Sequence, residues 1–294
     1  MITLASELQK RKEKTEFVLN NITNLPAVPR ILKETLELLN DSSVNNNELA
    51  KSISKDQGLV VKILMIANSP LLGLYRKVTT IDYAILVLGH NEIKNIVSVL
   101  SVIESFKNKT DKYLNEKEFW THSFLTGMAS KRLADDFGFP NKGEAFIAGF
   151  LHDVGISVIH KFFHSKFIEI YKQANELDIT YQEAELNVLG MTHQQVGHYL
   201  IERWDFPDPL CDAILNHHNP ENSVSNKTLT SIIHFADYMT QKLNIGNVSW
   251  DNNIQLNVEE LGVLKIKNLE EVDDFISNYE DLYKNQLESI RYFN

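Results

Sequence analysis

The stretch on which the fold turns is Gly143-Glu144-Ala145-Phe146-Ile147-Ala148-Gly149-Phe150-Leu151-His152-Asp153-Val154-Gly155. Within it Ala145, Ala148, Gly149, His152 and Gly155 recur at three- and four-residue spacing, the period of one helical face. Small residues on that face let a neighbouring helix come close, and they place His152 on the buried side of a helix expected from Gly143 to Phe163. A His-Asp dipeptide alone is a short motif that chance supplies readily. Its weight comes from where the other polar residues fall.

Helical periodicity continues outward in both directions. Toward the carboxyl terminus the patterns cover Tyr181–Leu189, His193–Trp204, Pro209–His218 and Thr228–Leu243, and a looser acidic tail follows with Leu261, Leu264 and Phe275 as apolar anchors. Toward the amino terminus a helix is expected over Phe119–Phe137, preceded by a polar run from Lys107 to Glu118 that marks a boundary between lobes. Further back, Thr80 caps a helix that Gly89 ends, and Ile93, Ile96, Val97, Leu100 and Ile103 continue in a longer one. Asp56 caps a helix that stops at Asn68-Ser69-Pro70, and Asn46 or Asn47 caps one through Ile53. Pro29 suits a first helical position ahead of Ile31, Leu32 and Leu36. A charged amphipathic lead-in spans Leu4 to Leu19. The reading is all-α and two-lobed: an N-terminal helix over 1–20, a helical lobe over 21–115, a second helical bundle over 116–245, and an acidic helical tail over 246–294.

Composition narrows the function classes. The chain has 294 residues, 43% hydrophobic and 23% charged, with 12 Gly and 7 Pro, which is a globular balance. Its 29 Lys+Arg against 39 Asp+Glu give a formal net charge of -10, which argues against a large phosphate-backbone footprint and so against a nucleic-acid partner. The helix pair between Asn47 and Asn68 imitates a helix-turn-helix but lacks a recognition helix rich in Arg, Asn and Gln. One cysteine, Cys211, favours a reducing compartment. No signal peptide is visible in residues 1–17, and no run of about 18 apolar residues lacks a charge. The expectation is a cytoplasmic protein with no membrane partner.

Periodicity turns a set of polar side chains toward the core. His122 shares a face with Phe119, Leu125 and Ala129; Asp237 shares one with Ile233; His217 and His218 follow Ile214 by three and four residues. His193 opens a helix after Thr192, with Gln195 placed for a capping box. A buried ionised carboxylate must pair, ligate a metal or take up a proton. Imidazoles and carboxylates together suit divalent transition metals, and a bridging aspartate is a common way to hold two ions about 3.5–4 Å apart.

The order His122, His152-Asp153, His193, His217-His218, Asp237 resembles the ligand series of the HD superfamily of metal-dependent phosphohydrolases. The first half narrows the match. Leu25-Pro26-Ala27-Val28-Pro29, Ile53-Ser54-Lys55-Asp56, Ala67-Asn68-Ser69-Pro70, and Thr80-Ile81-Asp82-Tyr83-Ala84-Ile85 through Leu88-Gly89 resemble the HDOD domain over about residues 20–245. That resemblance implies an N-terminal helical lobe joined to an HD-like bundle, and an output or scaffolding module of bacterial signalling that binds a protein partner. It also implies that His122, His152, Asp153 and Asp237 form one metal site, while His193, His217, His218 and a bridging Asp153 form the other. The cofactor would be one or two divalent ions of the Fe, Mn, Zn or Ni kind, with Asp153 catalytic only in an active enzyme.

Two departures from the catalytic HD-GYP branch of that superfamily bear on activity. Gly155 is followed by Ile156 where that branch carries a phosphate-facing lysine, and Asn219-Pro220-Glu221-Asn222 replaces its Gly-Tyr-Pro loop. Two readings therefore stay open: a signalling scaffold whose polar cluster either holds metal or is satisfied by hydrogen bonds and water, and a phosphohydrolase acting on a nucleotide or cyclic dinucleotide. His160 and His164, four residues apart, are read as ordinary helix residues for want of a carboxylate to complete a set. His90, His198 and His234 are read as structural.

Overall fold

The computed structural model describes residues 4–22, 34–35, 37–39, 41, 43–69, 72, 74–106, 111–204, 206–244, 250, 254–256 and 258–290. The Leu25–Pro29 motif, Ile31, Leu32, Leu36 and Pro70 lie outside the described residues. Among those described, every regular element is helical. They are α1 (Leu4–Asn20), α2 (Asn46–Ile53), α3 (Gln57–Ala67), α4 (Ile81–Phe106), α5 (Glu116–Asp136), α6 (Lys142–Leu151), α7 (Val154–Phe162), α8 (His164–Leu177), α9 (Tyr181–Leu189), α10 (His193–Arg203), α11 (Asp208–Asn216), α12 (Lys227–Lys242), α13 (Val258–Val263) and α14 (Leu269–Ile290).

Caps place several boundaries where side-chain chemistry puts them. Asp56 accepts the Leu59 N–H at 3.0 Å and starts α3, and Thr80 accepts the Tyr83 N–H at 3.2 Å at the head of α4. Gly89 has φ 78, a conformation that favours glycine, and breaks α4 in the middle. The cap of α2 is Asn45, not Asn46 or Asn47: its side chain accepts the Glu48 N–H at 3.0 Å. Likewise α5 begins at Glu116, three residues earlier than periodicity placed it, because Asn115 caps it.

Two larger differences separate the expected helices from the observed ones. The single helix expected over 143–163 is broken at His152-Asp153, where Asp153 has φ -99 and ψ 11. A continuous helix would rotate Asp153 about 100° away from His152, and the break lets both side chains enter the same interior space. Second, α8 was absent from the periodic patterns. Only Phe167, Ile170 and Ala174 are buried along its 14 residues, and it starts directly after Phe163 with no side-chain cap, so nothing local announces it.

Buried apolar residues from α2, α3 and α4 join those of α5 to α12 in one core, which includes Ile53, Ile63, Ile96, Phe119, Phe146, Ile214 and Phe235. Polar links cross the same seam. Lys131 pairs with Glu92 at 2.5 Å, and Lys161 donates to the Ser105 carbonyl at 3.0 Å. Helices long and apolar enough by composition to cross a membrane are α4, interrupted at Gly89, and the broken α6–α7 pair, whose most apolar window is 83% buried against the rest of the chain.

Both termini pack onto the second half. Thr15 of α1 donates to the Leu189 carbonyl at 2.7 Å, and Arg203 of α10 donates to the Leu19 carbonyl at 2.7 Å. In α14, Val272, Ile276, Tyr279 and Tyr283 are buried, and Phe275 stacks on Phe137 with ring centroids 5.6 Å apart. Tyr279 hydrogen-bonds Asp136 at the end of α5. Leu261 and Leu264 are buried as well, so the acidic tail is anchored by the apolar residues the sequence singled out.

Candidate metal centre

Asp153 sits at the break between α6 and α7 and is fully buried. Its two carboxylate oxygens face different partners. Oδ2 lies 3.2 Å from His152 Nε2 and 3.9 Å from His122 Nε2, while Oδ1 lies 3.4 Å from His193 Nε2 and 3.5 Å from His217 Nε2. Asp237 of α12 closes the first group, with Oδ1 3.0 Å from His122 Nε2 and Oδ2 3.7 Å from His152 Nε2. His218 closes the second, its Nε2 3.2 Å from that of His193. All seven predicted residues therefore converge, in two groups sharing one aspartate. They come from α5, the α6–α7 break, the start of α10, the end of α11 and the middle of α12.

The outer nitrogens of the imidazoles determine what the inner ones can do. His152 Nδ1 is 2.8 Å from the Gly149 carbonyl, and His217 Nδ1 is 2.8 Å from the Ile214 carbonyl. A carbonyl only accepts, so each Nδ1 carries a proton, and each ring, when neutral, turns an Nε2 lone pair inward. His193 is held by Glu185, which accepts its backbone N–H at 2.8 Å and faces its Nδ1 at 2.9 Å. Glu185 also accepts the Trp250 indole N–H at 2.8 Å. Neither Glu185 nor Trp250 was singled out in the sequence. Glu185 carried a usable signal, since it lies beside Ala184 and three residues before Val188 on the inner side of α9; Trp250 carried none.

Five of the inward atoms have no protein hydrogen bond to satisfy them. His122 Nε2, His152 Nε2, His217 Nε2 and both oxygens of Asp153 are buried without an aligned partner, including the 3.0 Å approach of His122 to Asp237. Such atoms are costly unless something occupies the space between them. Without an ion, the two carboxylates favour a second proton on His152, which a metal would displace. Burial pushes the His152 imidazole down, but the Asp153 and Asp237 carboxylates outweigh it and raise it to about 9. Asp153 is held well below the usual carboxylate range, burial being overcome by the charge of His152. His217 falls to about 4, through burial first and then its neighbour His218. With that proton displaced, the imidazole lone pairs and the two ionised carboxylates fit one or two divalent cations, with Asp153 between them.

Residues around this group have assignable tasks. His234 Nδ1 lies 2.6 Å from the His217 carbonyl, and Asp212 gathers the loop behind the double histidine by accepting from Ser223 Oγ at 2.6 Å and the Ser225 N–H at 2.9 Å. His90 and His198 bond Asn46 Oδ1 and the Cys211 carbonyl. Lys161, a lysine on the helix that follows the His-Asp pair, is committed to the Ser105 carbonyl and the Phe106 ring. The reading of His160 and His164 changes: Asp111 supplies the carboxylate thought missing, 3.2 Å and 3.5 Å from their Nε2 atoms.

Comparison with known proteins gives the same picture. A crystal structure of an HDOD domain protein of unknown function from Geobacter sulfurreducens superposes with a TM-score of 0.77 at 25% identity, covering 97% of this chain and 98% of that one. A structure from Shewanella amazonensis SB2B, provisionally named a phosphohydrolase, superposes with a TM-score of 0.71 at 20% identity over 93% and 97%, which is a likeness of fold. An uncharacterised protein of Treponema pallidum (strain Nichols) is 24% identical over 234 residues, 79% of this chain; the chain spans 45% of that relative's length. The family model for the HDOD domain matches residues 25–220, and on that match, with the helical fold and its buried His-Asp group in place, the chain belongs to the HDOD family.

Proposed function

We propose that this chain is a signal-transduction module of the bacterial cytoplasm, acting through contact with a signalling protein, and that its His-Asp group holds divalent metal as part of the fold. In this reading residues 21–115 form the partner-binding lobe and residues 116–245 the metal-holding lobe. His122, His152, Asp153 and Asp237 would hold one ion, and His193, His217, His218 and Asp153 the other, of the Fe, Mn, Zn or Ni kind. The observation that carries it is burial. Of the seven ligand residues only His218 is partly exposed, and the other six are at most 2% exposed. A hydrolytic metal site keeps a coordination position open to substrate, and a closed one serves structure or regulation. The commitment of Lys161 elsewhere supports the same reading, because phosphoryl transfer needs cations on the substrate oxygens.

A phosphohydrolase is the second reading, favoured by the aspartate shared between the two ligand groups. Metal bound there would activate water and stabilise phosphoryl charge, with His218 the ligand nearest solvent. The two are separated by metal analysis of the purified chain, followed by a phosphodiesterase and phosphomonoesterase screen with added manganese or iron. The expected result is stoichiometric transition metal, the share held by the central group being lost in Asp153→Asn, with no turnover. Turnover abolished by Asp153→Asn would overturn the scaffold reading.

A further inference from the structure

Outside the central group, one cluster brings together ligand-type side chains from separate parts of the chain. Asp111 lies in the loop leading to α5, His160 in the last turn of α7, and His164 at the first position of α8. Asp111 Oδ1 accepts the N–H groups of Tyr113 at 2.7 Å and Leu114 at 3.0 Å, which fixes the carboxylate and leaves Oδ2 toward the histidines. Their Nε2 atoms stand 3.2 Å and 3.5 Å from that oxygen, and the three donor atoms lie within 4.8 Å of one another. Zinc bonds of about 2.0–2.1 Å in a tetrahedral arrangement put neighbouring ligand atoms roughly 3.3 Å apart, close to the 3.2 Å and 3.5 Å that separate the Asp111 oxygen from the two nitrogens. The His160 ring is 2% exposed and packs edge-on against Phe167 at 4.8 Å, so one ligand is set rigidly by the core. His164 is 49% exposed and Asp111 26%, so a fourth coordination position faces solvent.

We propose that Asp111, His160 and His164 form a second metal site that binds a zinc-type divalent ion with an open position. It is independent of the central group. His160 lies seven positions after Asp153, about 10 Å along the helix axis, and no ligand is shared. An ion there clasps the loop before α5 to the corner between α7 and α8.

The test is a cobalt(II) and zinc(II) titration of the full chain, in the original sequence and in Asp111→Asn, His164→Ala and Asp153→Asn, read by bound-metal stoichiometry and cobalt ligand-field absorption. His164→Ala removes a half-exposed side chain, and Asp111→Asn keeps the acceptor for the loop N–H groups, so circular dichroism should show both folded. Expected is the loss of one metal equivalent, or at least about tenfold weaker binding, in each of these two variants, with the equivalent kept in Asp153→Asn. Equal stoichiometry and affinity in the original chain, His164→Ala and Asp111→Asn would overturn the proposal. So would an ion lost only with Asp153→Asn, which would place all bound metal in the central group. If Asp111→Asn alone fails to fold, His164→Ala decides.

Discussion

Glu185 does for His193 what backbone carbonyls do for His152 and His217. With both oxygens buried, it takes the His193 backbone N–H, its Nδ1 and the Trp250 indole, so the ring's other nitrogen must face Asp153 and His218. Replacing the charge with an amide keeps the shape and weakens that orientation. For Glu185→Gln we expect a folded chain whose metal affinity at the central group drops about 10–100-fold, measured by competition with a chromophoric chelator; an unchanged affinity would mean that the glutamate only fills space. Asp212 is the other buried carboxylate that organises rather than ligates. Burial raises its pKa, but hydrogen bonds from Ser223 and from the backbone at 224–226 overcome that and hold it below its usual 3.8. A group depressed on folding stabilises above its unfolded value, and the contribution disappears as pH falls through the folded one. Asp212→Asn should thus lower stability near pH 7 by roughly 2 kcal/mol, and the gap in thermal midpoint should narrow once pH falls below about 4. A gap independent of pH would show that the carboxylate charge plays no part.

Between helices, Gly155 on α7 meets α10. A Cβ built on it would lie 1.9 Å from the His193 carbonyl oxygen and 2.8 Å from the Gly197 nitrogen, both backbone atoms that cannot swing away. The contact matters because α7 begins at Asp153 and α10 begins at His193, so their separation sets how far the shared carboxylate stands from the second ligand group. Gly155→Ala should cost about 3 kcal/mol, the upper part of the range for overpacking, and weaken metal binding together with stability. Gly262→Ala is the matched control, since nothing lies within 4 Å of its Cβ; it should stay within about 0.5 kcal/mol. Equal effects in the two would refute the packing argument. Much at this scale was legible: the small-residue face of α6, the Asp56 cap, the Gly89 break, and the Thr192–Gln195 capping box that starts α10 are local features. The interruption at His152-Asp153 was not, because its cause is the meeting of Asp153 with rings from α5, α10 and α11. Nor was α8, whose apolar face is three residues wide.

Across the whole molecule, the central ligands span 115 positions, from His122 to Asp237, and are gathered only when five segments close on one another. Periodicity could say that each faced inward; it could not say that the tail would reach back to buttress them. Trp250 does so, stacked between Phe167 at 4.0 Å and Tyr181 at 4.4 Å while its indole holds Glu185. For the same reason the carboxylate beside His160 and His164 was not legible, since Asp111 is 49 residues from His160 and meets it only through the tertiary fold. Ligands so dispersed cannot form a site in the unfolded chain, so metal binds the folded state and stabilises it by mass action. Free metal at 100 times its dissociation constant contributes about 2.7 kcal/mol. At about 2–4 °C per kcal/mol for a chain approaching this size, saturating manganese or iron should raise the thermal midpoint by roughly 5–10 °C over the chelated protein. The rise should be smaller in Asp153→Asn, which loses the contribution of the central group. Because α1 and α14 pack on the same half as the ligands, it should appear in the main cooperative transition and not in a separate early one. A midpoint unmoved by metal would mean that the buried lone pairs are satisfied by other means, and the central group would then be a polar core without an ion.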